Sequence, residues 1–71
     1  MIYRWDIINE RLSRFNPSRF LEIGVRHGRV GKRVDATEKL GVDPQPGAFA
    51  QQFYTHLFHQ TSDEFFKDRK L

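Results

Sequence analysis

A chain of 71 residues is one small domain, 1–71, with no room for a second. A domain of this size buries only about 60% of its unfolded surface, so its core needs support from a partner chain, a bound ligand or dense aromatic packing. The absence of cysteine excludes disulfides and thiolate metal sites, while 12 Lys and Arg against 9 Asp and Glu leave a net charge of +3.

The chain opens Met1-Ile2-Tyr3-Arg4-Trp5-Asp6, with charges set among apolar residues. That is not the basic, apolar and small-residue layout of a signal peptide. No apolar run approaches the roughly 18 residues of a membrane span. The expectation is a cytoplasmic protein with no membrane association. Ile2, Trp5, Ile8, Leu12 and Phe15 recur at steps of three and four, which predicts an amphipathic helix over about 2–15 with Arg4, Arg11 and Arg14 turned outward. Asn16-Pro17-Ser18 ends it.

Phe20 to Ile23 is short and apolar between a proline and a glycine, and reads as a buried strand. Gly24 then releases the chain into a turn. A helix is predicted from Val25 to about Ala36, weakened by Gly28 and Gly31, each costing about 1 kcal/mol relative to Ala. Val30 and Val34 are left to pack on a sheet. Lys39 to Val42 reads as a second strand, and Asp43-Pro44-Gln45-Pro46-Gly47 as a loop. The stretch 48–60 is ambiguous: Phe49, Phe53, Leu57 and Gln60 fit a helix, whereas 54–59 is rich in strand formers. Thr61 and Glu64 spell a capping box, predicting a helix from Ser62 to the end of the chain.

An apolar strand ending in an acid and a glycine turn, followed by a second strand ending in an acid, is the order of a nucleotide-binding sheet. Glu22, Gly24 and Gly28 are the candidate binding turn, with the alternative that the glycines only make a tight strand-to-helix corner. Asp43 can accept hydrogen bonds from ribose hydroxyls, and it can equally begin the Asp-Pro turn. His27, His56 and His59 lack a metal-binding spacing and read as structural. The basic group Arg26, His27, Arg29, Lys32 and Arg33, with Tyr3, Trp5, Tyr54 or Phe58 for base stacking, is compatible with nucleic acid. A solvated helix face is the plainer account, since no recognised nucleic-acid-binding signature is present.

Trp5-Asp6-Ile7-Ile8-Asn9, Leu21 to Val25, Gly41 to Pro44 and Thr61 to Phe66 together resemble class I S-adenosylmethionine-dependent methyltransferases. The likeness is to a bacterial branch with Leu-Glu-Ile-Gly-Val, Gly-Val-Asp-Pro and Thr-Ser-Asp-Glu-Phe-Phe motifs. It implies an α/β fold, the N-terminal half of a Rossmann-like methyltransferase domain: one helix, then three parallel strands in order 3-2-1 with right-handed helical crossovers. It favours a third strand at about 55–59. It also implies S-adenosylmethionine as cofactor, with the methionine end at Glu22, Gly24 and Gly28, the ribose at Asp43, and the adenine near Asp63. Asp63 in a first helical turn also complements the helix dipole, which is the preferred role. Where that branch carries a bulky apolar residue, this chain has Gly31, so the helix is expected to lack a core contact.

Such enzymes continue into a fourth strand, where the acceptor side is built, and the sequence given stops at Leu71. The expectation is therefore a truncated module that keeps S-adenosylmethionine or nucleoside binding without independent catalysis. An open edge on the first strand calls for a partner chain, most simply a homodimer that completes the sheet. The alternatives are a basic, non-enzymatic interaction protein that binds protein or nucleic acid, and an active oligomeric methyltransferase with its acceptor pocket between chains.

Overall fold

The computed structural model describes residues 2–67. Seven elements follow one another: α1 (Arg4–Leu12), β1 (Arg19–Ile23), α2 (Arg29–Arg33), β2 (Glu38–Val42), a 3-10 turn (Ala50–Phe53), β3 (His56–Phe58) and α3 (Ser62–Lys67). The strands form one parallel sheet in the order β1-β2-β3, which makes this a small α/β fold with β2 at its centre. The expected continuation of α3 to Leu71 lies outside the described residues.

Local chemistry sets most of the boundaries. Helix α1 begins later than the apolar spacing predicts, because the Tyr3 N–H donates to Asp6 Oδ2 at 2.9 Å and fixes the first turn there. It also ends earlier, with Ser13 Oγ donating to the Glu10 carbonyl at 2.6 Å, so Ile2 and Phe15 stay exposed. Helix α2 is far shorter than the predicted Val25–Ala36 span. The chain reaches helical geometry only at Arg29, and Lys39 Nζ gathers the carbonyls of Gly31 (2.7 Å) and Val34 (3.1 Å) to close the helix. The Thr61–Glu64 capping box forms as predicted, with reciprocal bonds of 3.0 and 3.1 Å at the start of α3.

Buried Ser18 ties the starts of β1 and β2 together. Its backbone N–H donates to Thr37 Oγ1 at 3.1 Å, its hydroxyl accepts from the Thr37 N–H at 3.0 Å, and its carbonyl accepts from the Glu38 N–H at 3.0 Å. The resulting register sets Leu21 against Leu40 and Ile23 against Val42. Side chains alternate along a strand, so Leu21, Ile23, Leu40, Val42 and Phe58 share one face of the sheet, and Glu22, Gly41 and Leu57 share the other. On the first face Phe65 of α3 meets Phe58 edge to face at 5.2 Å, while Leu21 and Ile23 remain 40% and 46% exposed.

Val42 and Phe65 are buried on the first face, and a core cluster lies on the second face, where Val25, Ala50 and Tyr54 are buried against Phe53 and Leu57. The Tyr54 ring lies between two glycines. A Cβ at Gly31 would overlap the phenol, and one at Gly41 would stand 3.0 Å from Tyr54 Cδ1 and 2.7 Å from Val25 Cγ2. Gly31 therefore leaves no gap in the core: the space a bulkier residue would take is filled by tyrosine, which corrects the lost contact expected of α2. Tyr54 is likewise not the exposed base-stacking residue that the sequence allowed.

Gly31→Ala is expected to lower stability by about 1–3 kcal/mol through overpacking. The loss should shrink in a Tyr54→Leu background, where the ring is gone. Urea unfolding of the two single variants and the double variant measures this coupling, and simple additivity would remove Tyr54 as the cause.

Candidate functional site

The turn after β1 is built from backbone conformations that few side chains adopt. Gly24 has φ +80° and donates its N–H to the Val42 carbonyl at 2.8 Å, which ends the β1–β2 ladder. Val25 then turns into the core, and Arg26 follows with φ +55°, a left-handed geometry costing a non-glycine residue about 1–3 kcal/mol. Two bonds hold Arg26 there: its N–H donates to Asp43 Oδ2 at 2.8 Å, and its carbonyl accepts from the Gly47 N–H at 2.6 Å. The other Asp43 oxygen accepts from the Gln45 N–H at 2.8 Å, so one carboxylate organises both loops at the C-terminal ends of β1 and β2.

Beside this turn opens a cavity of about 710 Å³, walled by Tyr3, Arg4 and Trp5 from the N-terminal segment, by Glu22 and Gly24, and by Arg26 and Arg29. Tyr3 and Trp5 stack with centroids 4.6 Å apart and planes 11° from parallel. The Arg33 guanidinium also lies over the indole, 4.9 Å from its centroid. Trp5 is thus contacted by Tyr3, Arg29 and Arg33. Tyr3 is 46% exposed and is the more open of the two rings to a ligand.

Glu22 reaches from β1 to accept a hydrogen bond from the Tyr54 hydroxyl. Burial raises its carboxyl above the usual glutamate value, while the Tyr54 bond and the nearby Arg4 charge pull it partly back. Burial, together with the same bond, raises the Tyr54 hydroxyl above the ordinary tyrosine range. Asp43, only 8% exposed, is held below the usual aspartate value, chiefly by the Arg26 N–H.

The residues singled out in the sequence take different parts. Glu22 and Gly24 line the cavity. Gly28 instead faces the core: its φ is +80°, and a Cβ there would stand 2.8 Å from Phe53 Cδ2. Asp43 shapes the turn from behind it. Asp63 is exposed in the first turn of α3, beside β3, two strands away from the Glu22 turn. His27 stands at the cavity, whereas His56 and His59 belong to the β3 end of the sheet. Among the described residues no group of three His, Cys, Asp or Glu side chains gathers to hold a metal.

The basic group is exposed, as a solvated face would be, and three of its members also lie over aromatic rings. Arg29 and Arg33 cover Trp5, and Lys32 covers Phe53 with its ammonium 5.8 Å from the ring centroid. Arg4, which the spacing turned outward, contributes to the cavity wall and acts on Glu22. Nothing in the helical periodicity marks it out, since its position depends on how α1 seats against α2. That seating is made by Asn9, whose side chain donates to the Arg33 carbonyl at 2.9 Å and accepts from the Asp35 N–H at 2.7 Å.

No protein-family model, curated protein or solved structure matches the chain. Among the described residues no helix is long and apolar enough to cross a membrane.

The two acids pull stability in opposite directions with pH. Asp43, lowered on folding, contributes stability that is complete above its ordinary value of 3.8 and is lost as pH falls through its lower folded value. Glu22, raised on folding, contributes stability that is complete below its ordinary value of 4.5 and is lost as pH rises through its higher folded value. Asp43→Asn should cost about 1.5–3 kcal/mol at neutral pH and flatten the acid limb, because an amide nitrogen cannot accept the second N–H. Glu22→Gln should abolish the decline above 4.5. Urea unfolding followed from pH 2 to 7 checks both, and variant profiles parallel to the parent would rule out these groups.

Proposed function

We propose that the chain is a nucleoside-binding module related to the N-terminal half of a Rossmann-like, class I S-adenosylmethionine-dependent methyltransferase domain. It binds S-adenosylmethionine or a related nucleoside in the cavity beside the Gly24 turn and performs no methyl transfer of its own. The observation that carries this reading is the position of the cavity, at the C-terminal end of β1 in a parallel sheet. Parallel α/β sheets bind ligands at that end, and the volume suits a small organic molecule.

In this reading the Gly24 backbone lets a ligand approach closely, and the outer face of Tyr3 takes the base. Asp43, behind the turn, acts by holding the Arg26 backbone in place at the wall. Methyl transfer needs an acceptor held in line with the methyl group. Among the described residues His27 is the only imidazole at the turn, and it is exposed on a basic segment, which favours binding over catalysis.

Trp5 is the single tryptophan, so its fluorescence reports directly on the cavity. Titration with S-adenosylmethionine or adenosine should give a saturable change matched by calorimetric heat. Tyr3→Ala should weaken binding by about 1–3 kcal/mol, the range for a base stacked on an aromatic ring. Neither signal at millimolar nucleoside would defeat the proposal.

A second copy is part of the same proposal. The bonds from Gly24 N–H to Val42 and from Glu38 N–H to Ser18 place the even-numbered residues of β1 on the ladder to β2. The main-chain groups of Arg19, Leu21 and Ile23 therefore face the open edge. Two copies paired antiparallel about a two-fold axis at Leu21 would join Arg19 to Ile23 and Leu21 to its own equivalent, bringing their exposed side chains together on one face. Sedimentation should show a concentration-dependent dimer that Leu21→Lys dissolves. A monomer throughout the micromolar range would exclude it.

A further inference from the structure

Three arginines line the cavity, Arg4, Arg26 and Arg29, with Glu22 as the one acidic residue of the lining and the Asp43 carboxylate behind the turn on the Arg26 N–H. They come from separate elements: Arg4 from α1, Arg26 from the strained turn and Arg29 from the start of α2. Arg4 stands close enough to act on the Glu22 carboxyl, and the Arg29 guanidinium lies 6.0 Å from the Trp5 centroid. Glu22 offsets at most one of these charges, and it already accepts the Tyr54 hydroxyl.

S-adenosylmethionine carries a sulfonium and an ammonium against one carboxylate, and so enters this cavity as a net cation facing net positive walls. A phosphate-bearing nucleoside meets the opposite sign, and guanidinium forks match phosphate oxygens in geometry as well as charge. The outer face of Tyr3 supplies what a bare anion would not use.

We infer that the ligand of this cavity is a nucleoside mono- or diphosphate, its base on the outer face of Tyr3 and its phosphates among Arg4, Arg26 and Arg29. This rests on the nucleoside-binding reading above and narrows it from the cationic cofactor to an anionic nucleotide.

Calorimetry of the whole chain with ADP, adenosine, S-adenosylmethionine and inorganic pyrophosphate, at about 20 mM and about 300 mM salt, tests it. ADP should bind at least about tenfold more tightly than adenosine at low salt, the gap should narrow at high salt, and S-adenosylmethionine should bind more weakly than either. Arg29→Gln and Arg4→Gln, both at exposed positions, should each cut the ratio of ADP to adenosine affinity at least about fivefold.

Equal affinity for ADP and adenosine would overturn the nucleotide assignment and leave the nucleoside site standing. Pyrophosphate binding as tightly as ADP, with no adenosine heat, would overturn both. Binding of none of the four would do the same. A single-stranded oligonucleotide bound far more tightly than ADP would make these arginines a nucleic-acid face and also overturn the inference.

Discussion

Tyr54 holds the structure together. Its ring fits only because positions 31 and 41 lack a Cβ, and its hydroxyl ends on Glu22, so one side chain from the segment before β3 touches α2, β2 and β1. A 71-residue chain has little apolar volume with which to fix a helix on a sheet, and α2 offers barely more than one turn. A large ring set between two glycines gives close packing, and its hydroxyl bond fixes orientation where a wholly apolar contact would allow sliding. The cavity inherits its position from this arrangement, since Glu22 forms part of its wall while bonded to the core tyrosine.

The second constraint is electrostatic and belongs to Asp43. Its two oxygens accept amides from opposite loops, and this keeps Arg26 in the left-handed region. A buried carboxylate without partners would be costly; with two N–H donors it becomes the clamp that closes the ends of β1 and β2. The strained residue and the cavity wall are thus the same residue, a pairing common where backbone strain is kept for a functional reason.

The framework was legible where residue type and spacing act locally. Strand β1 shows itself as a short apolar run ended by glycine, β2 as its repeat before Asp-Pro, and α3 through the Thr61–Glu64 box; the parallel order also agrees with expectation. Glu22 and Gly24 were legible at the end of β1 and Asp43 at the end of β2, and the fold brings the Asp43 carboxylate to the Arg26 amide of the first turn. What the sequence hid depends on contacts between distant residues. The shortness of α2 follows from Lys39 capping its carbonyls, the role of Gly31 from a tyrosine 23 positions later, and the placement of Arg4 from Asn9 bridging to α2. Gly28 shows the same limit: its left-handed turn was readable, but its packing against Phe53 was not.

Strand β1 serves two purposes because side chains alternate across a sheet. Glu22 points to the face that carries the Tyr54 core cluster and the cavity, while Leu21 and Ile23 point to the opposite, half-covered face beside the open edge. A nucleotide in the cavity and a second chain on the edge would therefore not compete for the same side chains. They would still be linked, because each binds only the folded form and each adds its own free energy to the stability of a domain too small to have much to spare. In that arrangement ligand raises the population of folded protomers available to pair, pairing raises the population able to hold ligand, and neither needs a change of shape.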